Sequence, residues 1–198
     1  MRVLRPIWLL LAAAMIFGLA APLPAAAQTP NPPASPGPPG ASAPAEKFGE
    51  EVVLTEKPIV YLAASGLWDS AFETIIESFK SLNEALEKQG IKASGPPMAI
   101  YTATDDTGFQ FLAAAPLDQA PERAPGADIK AGKSPAGKAL KFVHRGSYES
   151  MDTTYEAITN YLDEKQLEAK DLFIEEYVTD PVTTPEDKLV INIYVPIK

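Results

Sequence analysis

Gly66-Leu67-Trp68-Asp69-Ser70 and Gly146-Ser147-Tyr148-Glu149-Ser150 decide how this chain is read. Each stretch is a glycine turn followed by an aromatic residue, an acid and a serine. Each stands between a strand-like run and a helix-like run. Before the first lies EVVLTEKPIVYLAA (51–64), rich in Val and Ile, which predicts a strand. After it, Trp68, Phe72, Ile75, Ile76, Phe79, Leu82 and Leu86 recur at three- and four-residue steps, which predicts a helix of about five turns with one apolar stripe. Before the second junction lies the strand ALKFVHR (139–145). After it, Met151, Tyr155, Ile158 and Leu162 repeat the helical stripe. Both halves close with two strands, one set ending in Pro116-Leu117 and the other in Pro196-Ile197. Ala99-Ile100-Tyr101 lines up with Glu175-Glu176-Tyr177, and LAAAPL (112–117) with NIYVPI (192–197). One supersecondary unit is used twice.

Local signals refine this. Ser70 followed by Glu73 fits a capping box, and Gly90 suits the far end of that helix. Thr153 with Glu156, or Ser150 alone, is the matching candidate in the second half. In LVINIYV (189–195), Leu189, Ile191, Ile193 and Val195 point one way and Val190, Asn192 and Tyr194 the other. The polar, Pro- and Gly-rich stretch 118–138 reads as the connector, with room for a short extra strand or helical turn. The expected fold is α+β. It is an antiparallel sheet from two pseudo-symmetric strand–helix–strand–strand repeats (about 47–117 and 139–198), with two long helices on one face. A pseudo-twofold axis is expected to leave a cleft on the other face, between the halves.

Composition removes several functions. The 198 residues include 26 acidic and 17 basic side chains, one His and no Cys, for a net charge of −9. Without Cys there is no disulfide framework, thiol nucleophile, iron–sulfur cluster or thiolate zinc site. One His makes neither a two-histidine metal site nor a ready Ser–His–Asp site. The acidic balance disfavours nucleic acid and anionic membrane, which need clustered Lys and Arg. No phosphate loop is visible, and neither a metal nor a cofactor is expected. A domain that handles a small molecule or another protein remains, with a small-molecule ligand as the expected partner.

Residues 1–27 read as a secretory signal peptide. Arg2 and Arg5 give a positive end, residues 7–21 are an unbroken apolar run, and Ala25-Ala26-Ala27 offers small residues for cleavage. The run is shorter than the ~20 residues a membrane-spanning helix needs, so no stable membrane insertion is expected after cleavage; an uncleaved anchor is the alternative. Residues 28–46 form a Pro-rich linker with almost nothing to bury, an extended tether. The folded domain is expected over 47–198, in a periplasmic or secreted protein.

The run Glu175-Glu176-Tyr177-Val178-Thr179-Asp180-Pro181 resembles the E-x-Y-x-x-D-P segment of the GyrI-like, or AraC-type effector-binding, domain family. Thr184-Pro185-Glu186-Asp187 and the alternating strand ending Tyr194-Val195-Pro196-Ile197 complete the pattern. The first half matches in architecture more than in letters. The resemblance implies a duplicated fold with a central small-molecule pocket and a pocket glutamate at Glu175. Many relatives are sensors attached to DNA-binding helices, and some standalone members are described as hydrolases of strained, alkylating compounds. This chain has an export signal and no appended helix-turn-helix, which argues against transcription control.

Strand alternation puts Phe173, Glu175, Tyr177 and Thr179 on one face. A carboxylate among rings suits a hydrophobic, cationic ligand, with cation–π attraction of about 0.5–2 kcal/mol per ring. The repeat partner of Glu175 is Ala99, so the cleft holds one carboxylate. Tyr177 and Tyr101 are expected as cleft walls, Asn192 and Tyr194 on the opposing strand, and Trp68 and Tyr148 at the glycine turns. His144 reads as a half-exposed structural residue. Binding is the favoured function. The alternative is a hydrolase of cyclopropanoid-type electrophiles, with Glu175 as general base and Tyr177 as hydrogen-bond donor. A protein-interaction module tethered near the membrane is a third reading.

Overall fold

The structure, a computed structural model, describes residues 47–123 and 125–198. The signal-peptide and linker readings of 1–27 and 28–46 lie outside the described residues. The elements run β1 (Glu50–Leu54), β2 (Pro58–Leu67), α1 (Ala71–Lys88), β3 (Met98–Thr104), β4 (Gly108–Pro116), β5 (Ile129–Lys133), β6 (Gly137–Arg145), α2 (Met151–Lys165), β7 (Phe173–Tyr177) and β8 (Val190–Pro196). The fold is α+β, as the sequence predicts.

All strands join one antiparallel sheet, ordered β1-β6-β8-β7-β3-β4-β2-β5. Exchanging each first-half strand for its second-half counterpart reverses that order onto itself. The register obeys the same exchange. Leu62↔Ala113 in the first half has its counterpart in Phe142↔Ile193. Ala99↔Ala113 has its counterpart in Glu175↔Ile193. Residue by residue, the sheet is one unit written twice.

The predicted single strand 51–64 is in fact two strands at distant places in the sheet. β1 pairs with β6, whereas β2 pairs with β4 and β5. Pro58 marks the break, because it cannot donate to a ladder. Lys57 N–H donates to Ser134 Oγ (3.0 Å) and Ser134 N–H to the Lys57 carbonyl (2.9 Å) beside it. β5 lies inside the connector 118–138. Each half therefore lends its first, short strand to the edge of the other half.

The helix starts differ from the predicted capping boxes. Ser70 and Ser150 occupy the N-cap positions without side-chain cap bonds. The chain instead enters each helix through a 3-10 turn, Trp68–Ser70 and Tyr148–Ser150. Trp68 therefore sits before α1 rather than on its stripe. Gly90 does follow α1, at φ 64°.

Both helices lie on one face of the sheet. Ile75 and Phe79 of α1, with Met151 and Ile158 of α2, share a core with Phe111, Phe142, Ile191 and Ile193. Ile59, Met98, Ile100, Ala114 and Ile174 form a second cluster whose strand parity places it on the opposite face.

Candidate functional site

β7 alternates in the predicted way. The register sets Glu175 against Ala99 on one side and Ile193 on the other, so its side chain turns to the helix-bearing face. The cleft expected on the opposite face is not where the carboxylate lies. Glu175 is 0% exposed.

The carboxylate is held by phenols. Tyr155 O–H of α2 donates to Oε1 at 2.8 Å, and Tyr177 O–H of β7 donates to Oε2 at 2.8 Å. Tyr148 O–H, from the 3-10 turn, reaches Oε2 at 3.4 Å. Tyr148 also shares a 3.1 Å hydrogen bond with the Tyr101 hydroxyl of β3. Among the described residues no ion pair offsets the Glu175 charge. The rings interlock. Tyr101 stacks on Phe173 at 4.3 Å, and Phe173 meets Tyr155 edge-on at 5.3 Å. Phe79 of α1 packs edge-on against Tyr177 at 5.2 Å. Phe72 of α1 stacks on Tyr148 at 5.0 Å, and both are half-buried.

Burial raises the Glu175 pKa above the ordinary carboxylate range, and hydrogen bonds from Tyr155, Tyr177, Tyr101 and Tyr148 offset part of that rise. The same burial, then the Glu175 charge, pushes Tyr101, Tyr155 and Tyr177 well above the usual phenol value. The hydroxyls therefore stay protonated, as donors to the carboxylate.

Of the residues predicted for the site, Glu175, Tyr177, Tyr101, Phe173 and Tyr148 come together. Asn192 and Tyr194 do not. They project from the opposite face of β8 and serve the neighbouring acid: Asn192 Nδ2 donates to Glu176 Oε2 at 2.8 Å and Tyr194 O–H to the same oxygen at 2.9 Å. Burial, then Glu176, raises the Tyr194 hydroxyl. Trp68 stands apart at 37% exposure. Its Nε1 donates to the Asp105 carbonyl at 2.8 Å, and its ring packs on Phe109, which packs in turn on Tyr101. A solvent-open hollow of about 260 Å³ near that hairpin is lined by Ser65, Leu67, Asp105 and Gln110, and by none of the tyrosines.

Tyr155 is the member that sequence reasoning missed. It sits on the apolar stripe of α2, where an aromatic reads as core. The signal lay in the repeat: Ile75 occupies the same place, five residues into α1, and is fully buried. His144, expected to be half-exposed, is 3% exposed. Its strand parity turns it toward the helices, beside Ile191. Among the described residues no cluster of three or more His, Asp or Glu could hold a metal ion.

Comparison with known proteins gives a family. Residues 50–198 match the profile described as "GyrI-like small molecule binding domain". No curated protein sequence matches the chain. Among solved structures, EcmrR in a complex with DNA superposes with a TM-score of 0.65 at 12% identity, over 76% of this chain and 57% of that one. This chain thus spans little more than half the length of EcmrR. SAV2435 bound to tetraphenylphosphonium superposes with a TM-score of 0.55 at 14% identity, over 77% and 94% of the two chains. A hydrolase encoded by lin2189 from Listeria innocua gives 0.51 at 11% identity, over 76% and 92%. At these identities the likeness is one of fold.

Proposed function

We propose, on the premise that this chain belongs to the GyrI-like small-molecule-binding family, that its ligand is a lipophilic organic cation held against Glu175. The observation that carries this is a wholly buried carboxylate whose partners are neutral phenols. Removing a carboxylate from water costs several kcal/mol, and neutral donors return only part of it. A cation that enters with its own apolar surface makes up the deficit, while the rings supply stacking and cation–π attraction.

The donor set narrows the cation. A carboxylate offers about four lone-pair positions, and phenols take three of them here. An onium ion without N–H groups leaves those bonds in place. A primary ammonium brings three donors that compete with the tyrosines. SAV2435, which shares the fold, holds tetraphenylphosphonium, and that makes the ion a suitable probe. Calorimetric titration of wild type and Glu175→Gln with tetraphenylphosphonium tests the reading. A loss of about tenfold or more in the variant is expected, as for a truncated buried charge contact; equal affinities reject it.

A second reading is hydrolysis of a strained cyclopropane. It is supported by a carboxyl of raised pKa within 2.8 Å of two phenol hydroxyls. Water would attack a ring carbon as the ring C–C bond breaks. Glu175 would take the water proton, a tyrosine would protonate the released carbon, and Glu175 would return its proton to that tyrosine. Binding is favoured because both carboxylate oxygens already carry phenol bonds. A cyclopropanoid electrophile recovered unchanged after incubation supports binding; a hydrolysed product supports the enzyme.

The positive end, apolar run and small-residue site of 1–27 support export to the periplasm or beyond, with 28–46 as the tether. The acidic balance supports a small molecule rather than nucleic acid as the partner.

A further inference from the structure

We infer that His144 is a positioning residue of this site, holding Tyr148 and Tyr155 on the Glu175 carboxylate through one imidazole that spans two elements. The inference rests on the cation-binding reading above. His144 projects from β6 toward the helices and is 3% exposed. Its Nε2 lies 3.1 Å from the Ser147 carbonyl, and its Nδ1 lies 2.7 Å from Thr154 Oγ1. A carbonyl oxygen only accepts, so Nε2 carries the proton in the neutral ring, and Nδ1 accepts from the Thr154 hydroxyl. Ser147 directly precedes Tyr148, and Thr154 directly precedes Tyr155. Those two tyrosines are the donors that do not come from β7 itself. One belongs to the turn before α2 and the other to α2, so their relative placement depends on what joins turn, helix and strand.

The competing explanation is a buried histidine that merely satisfies the fold. The internal duplication argues against it. The register sets His144 against Ile191 and, in the first half, Ala64 against Phe111. Ala64 is thus the counterpart of His144. It precedes the same glycine, the same 3-10 turn and a helix of the same kind. That junction closes without an imidazole. Where the first half has Ala64, Trp68, Ile75 and Ala99, the second half has His144, Tyr148, Tyr155 and Glu175. The four differences sit together in space. The histidine accompanies the carboxylate and its donors, not the architecture.

The test is a double-mutant cycle on the full chain, with tetraphenylphosphonium affinity as the first readout and thermal melting alongside. His144→Leu should weaken binding about fivefold or more. His144→Gln, whose amide offers a donor and an acceptor, should restore most of it. In the Glu175→Gln background, His144→Leu should change affinity by less than about twofold, because its effect passes through the carboxylate. Thr154→Val removes one arm of the brace at a partly exposed position and should show the same coupling, which covers the case that His144→Leu does not fold. Equal losses in both backgrounds, for either variant, overturn the inference. The second readout needs no ligand: the near-UV tyrosine signal should titrate with Glu175 in wild type and lose that transition in Glu175→Gln. In His144→Leu or Thr154→Val its midpoint should rise, since loosened phenols stabilise the anion less. An unchanged midpoint overturns the inference. Absent binding by wild type, or an unaffected Glu175→Gln, defeats instead the cation reading.

Discussion

Ala99 and Glu175 stand directly opposite each other across the central β3–β7 pair. They are also each other's counterpart in the duplication, so the approximate twofold axis passes between a methyl group and a carboxylate. Opposed residues in an antiparallel pair hold their Cβ atoms about 5 Å apart. A strictly repeated sequence would set two buried carboxylates at that separation. Alanine leaves one charge, on the axis, with rings from both halves around it.

Restoring the sequence symmetry should therefore be costly. Ala99→Glu adds volume to a filled core and a like charge beside Glu175. A loss of about 3 kcal/mol or more is expected in thermal or urea unfolding, from overpacking and an unpaired buried charge together. A variant as stable as wild type would contradict the packing described around the axis.

Glu175 gives stability and binding opposite slopes with pH. Its pKa is raised in the fold, so the native state holds the proton longer than the unfolded chain does. The contribution of this group is fully present at low pH and is lost as pH rises from the unfolded value, about 4.3, through the raised folded value. A bound cation prefers the ionised form, so affinity should fall on acidification, with a midpoint above the ordinary carboxylate range. Titrations with tetraphenylphosphonium between about pH 4 and pH 8 should show this slope in wild type and lose it in Glu175→Gln.

The phenol donors should set which cations bind. Tyr155→Phe removes the 2.8 Å bond to Oε1 and frees a lone pair there. Wild type should prefer a quaternary onium ion over a primary amine of matched apolar surface. Tyr155→Phe should narrow that preference by about threefold or more, as the amine gains an acceptor and the onium ion gains nothing. An unchanged ratio would show that the hydroxyl does not control selection.

Gly108 is required by backbone approach. A Cβ there would stand 2.2 Å from the Gly66 carbonyl oxygen, in the β2–β4 ladder next to the site strand β3. Neither backbone can yield without breaking pairing. Gly108→Ala should destabilise by about 2 kcal/mol or more, read as a lowered Tm. An unchanged Tm would contradict this close approach.

The repeat, the helices and the central strands were legible because each carries its own periodicity, such as the Ile191/Ile193/Val195 alternation or the Phe72-to-Leu86 stripe. β5 was legible only as room for a short extra strand in 118–138, because an edge strand such as Ile129–Lys133 packs one buried residue and needs no alternation. The division of 51–64 was hidden because both pieces are Val- and Ile-rich, and only Pro58 marks the break. In the candidate site, Glu175 was singled out by the family resemblance together with its strand neighbours Phe173 and Tyr177. Asn192 and Tyr194 lie on the face away from the helices, as the alternation of 189–195 predicts; they miss the site because the β7–β8 register sets Glu175 beside Ile193, on the helix-bearing face and not in the cleft expected opposite. Tyr155 passed as core and His144 as a half-exposed structural residue, because an aromatic on a helical stripe and a histidine in a strand carry no chemistry alone. They gain it from the hydroxyl and imidazole contacts that folding creates.

The central claim is that a single buried carboxylate makes this site choose its ligand by charge. Tetraphenylphosphonium and tetraphenylborate have nearly the same shape and opposite charge. Measured side by side, the wild-type protein should bind the phosphonium at least about tenfold more tightly, and Glu175→Gln should erase most of that preference. Equal binding of both ions by wild type, or a preference that survives in Glu175→Gln, would contradict the account.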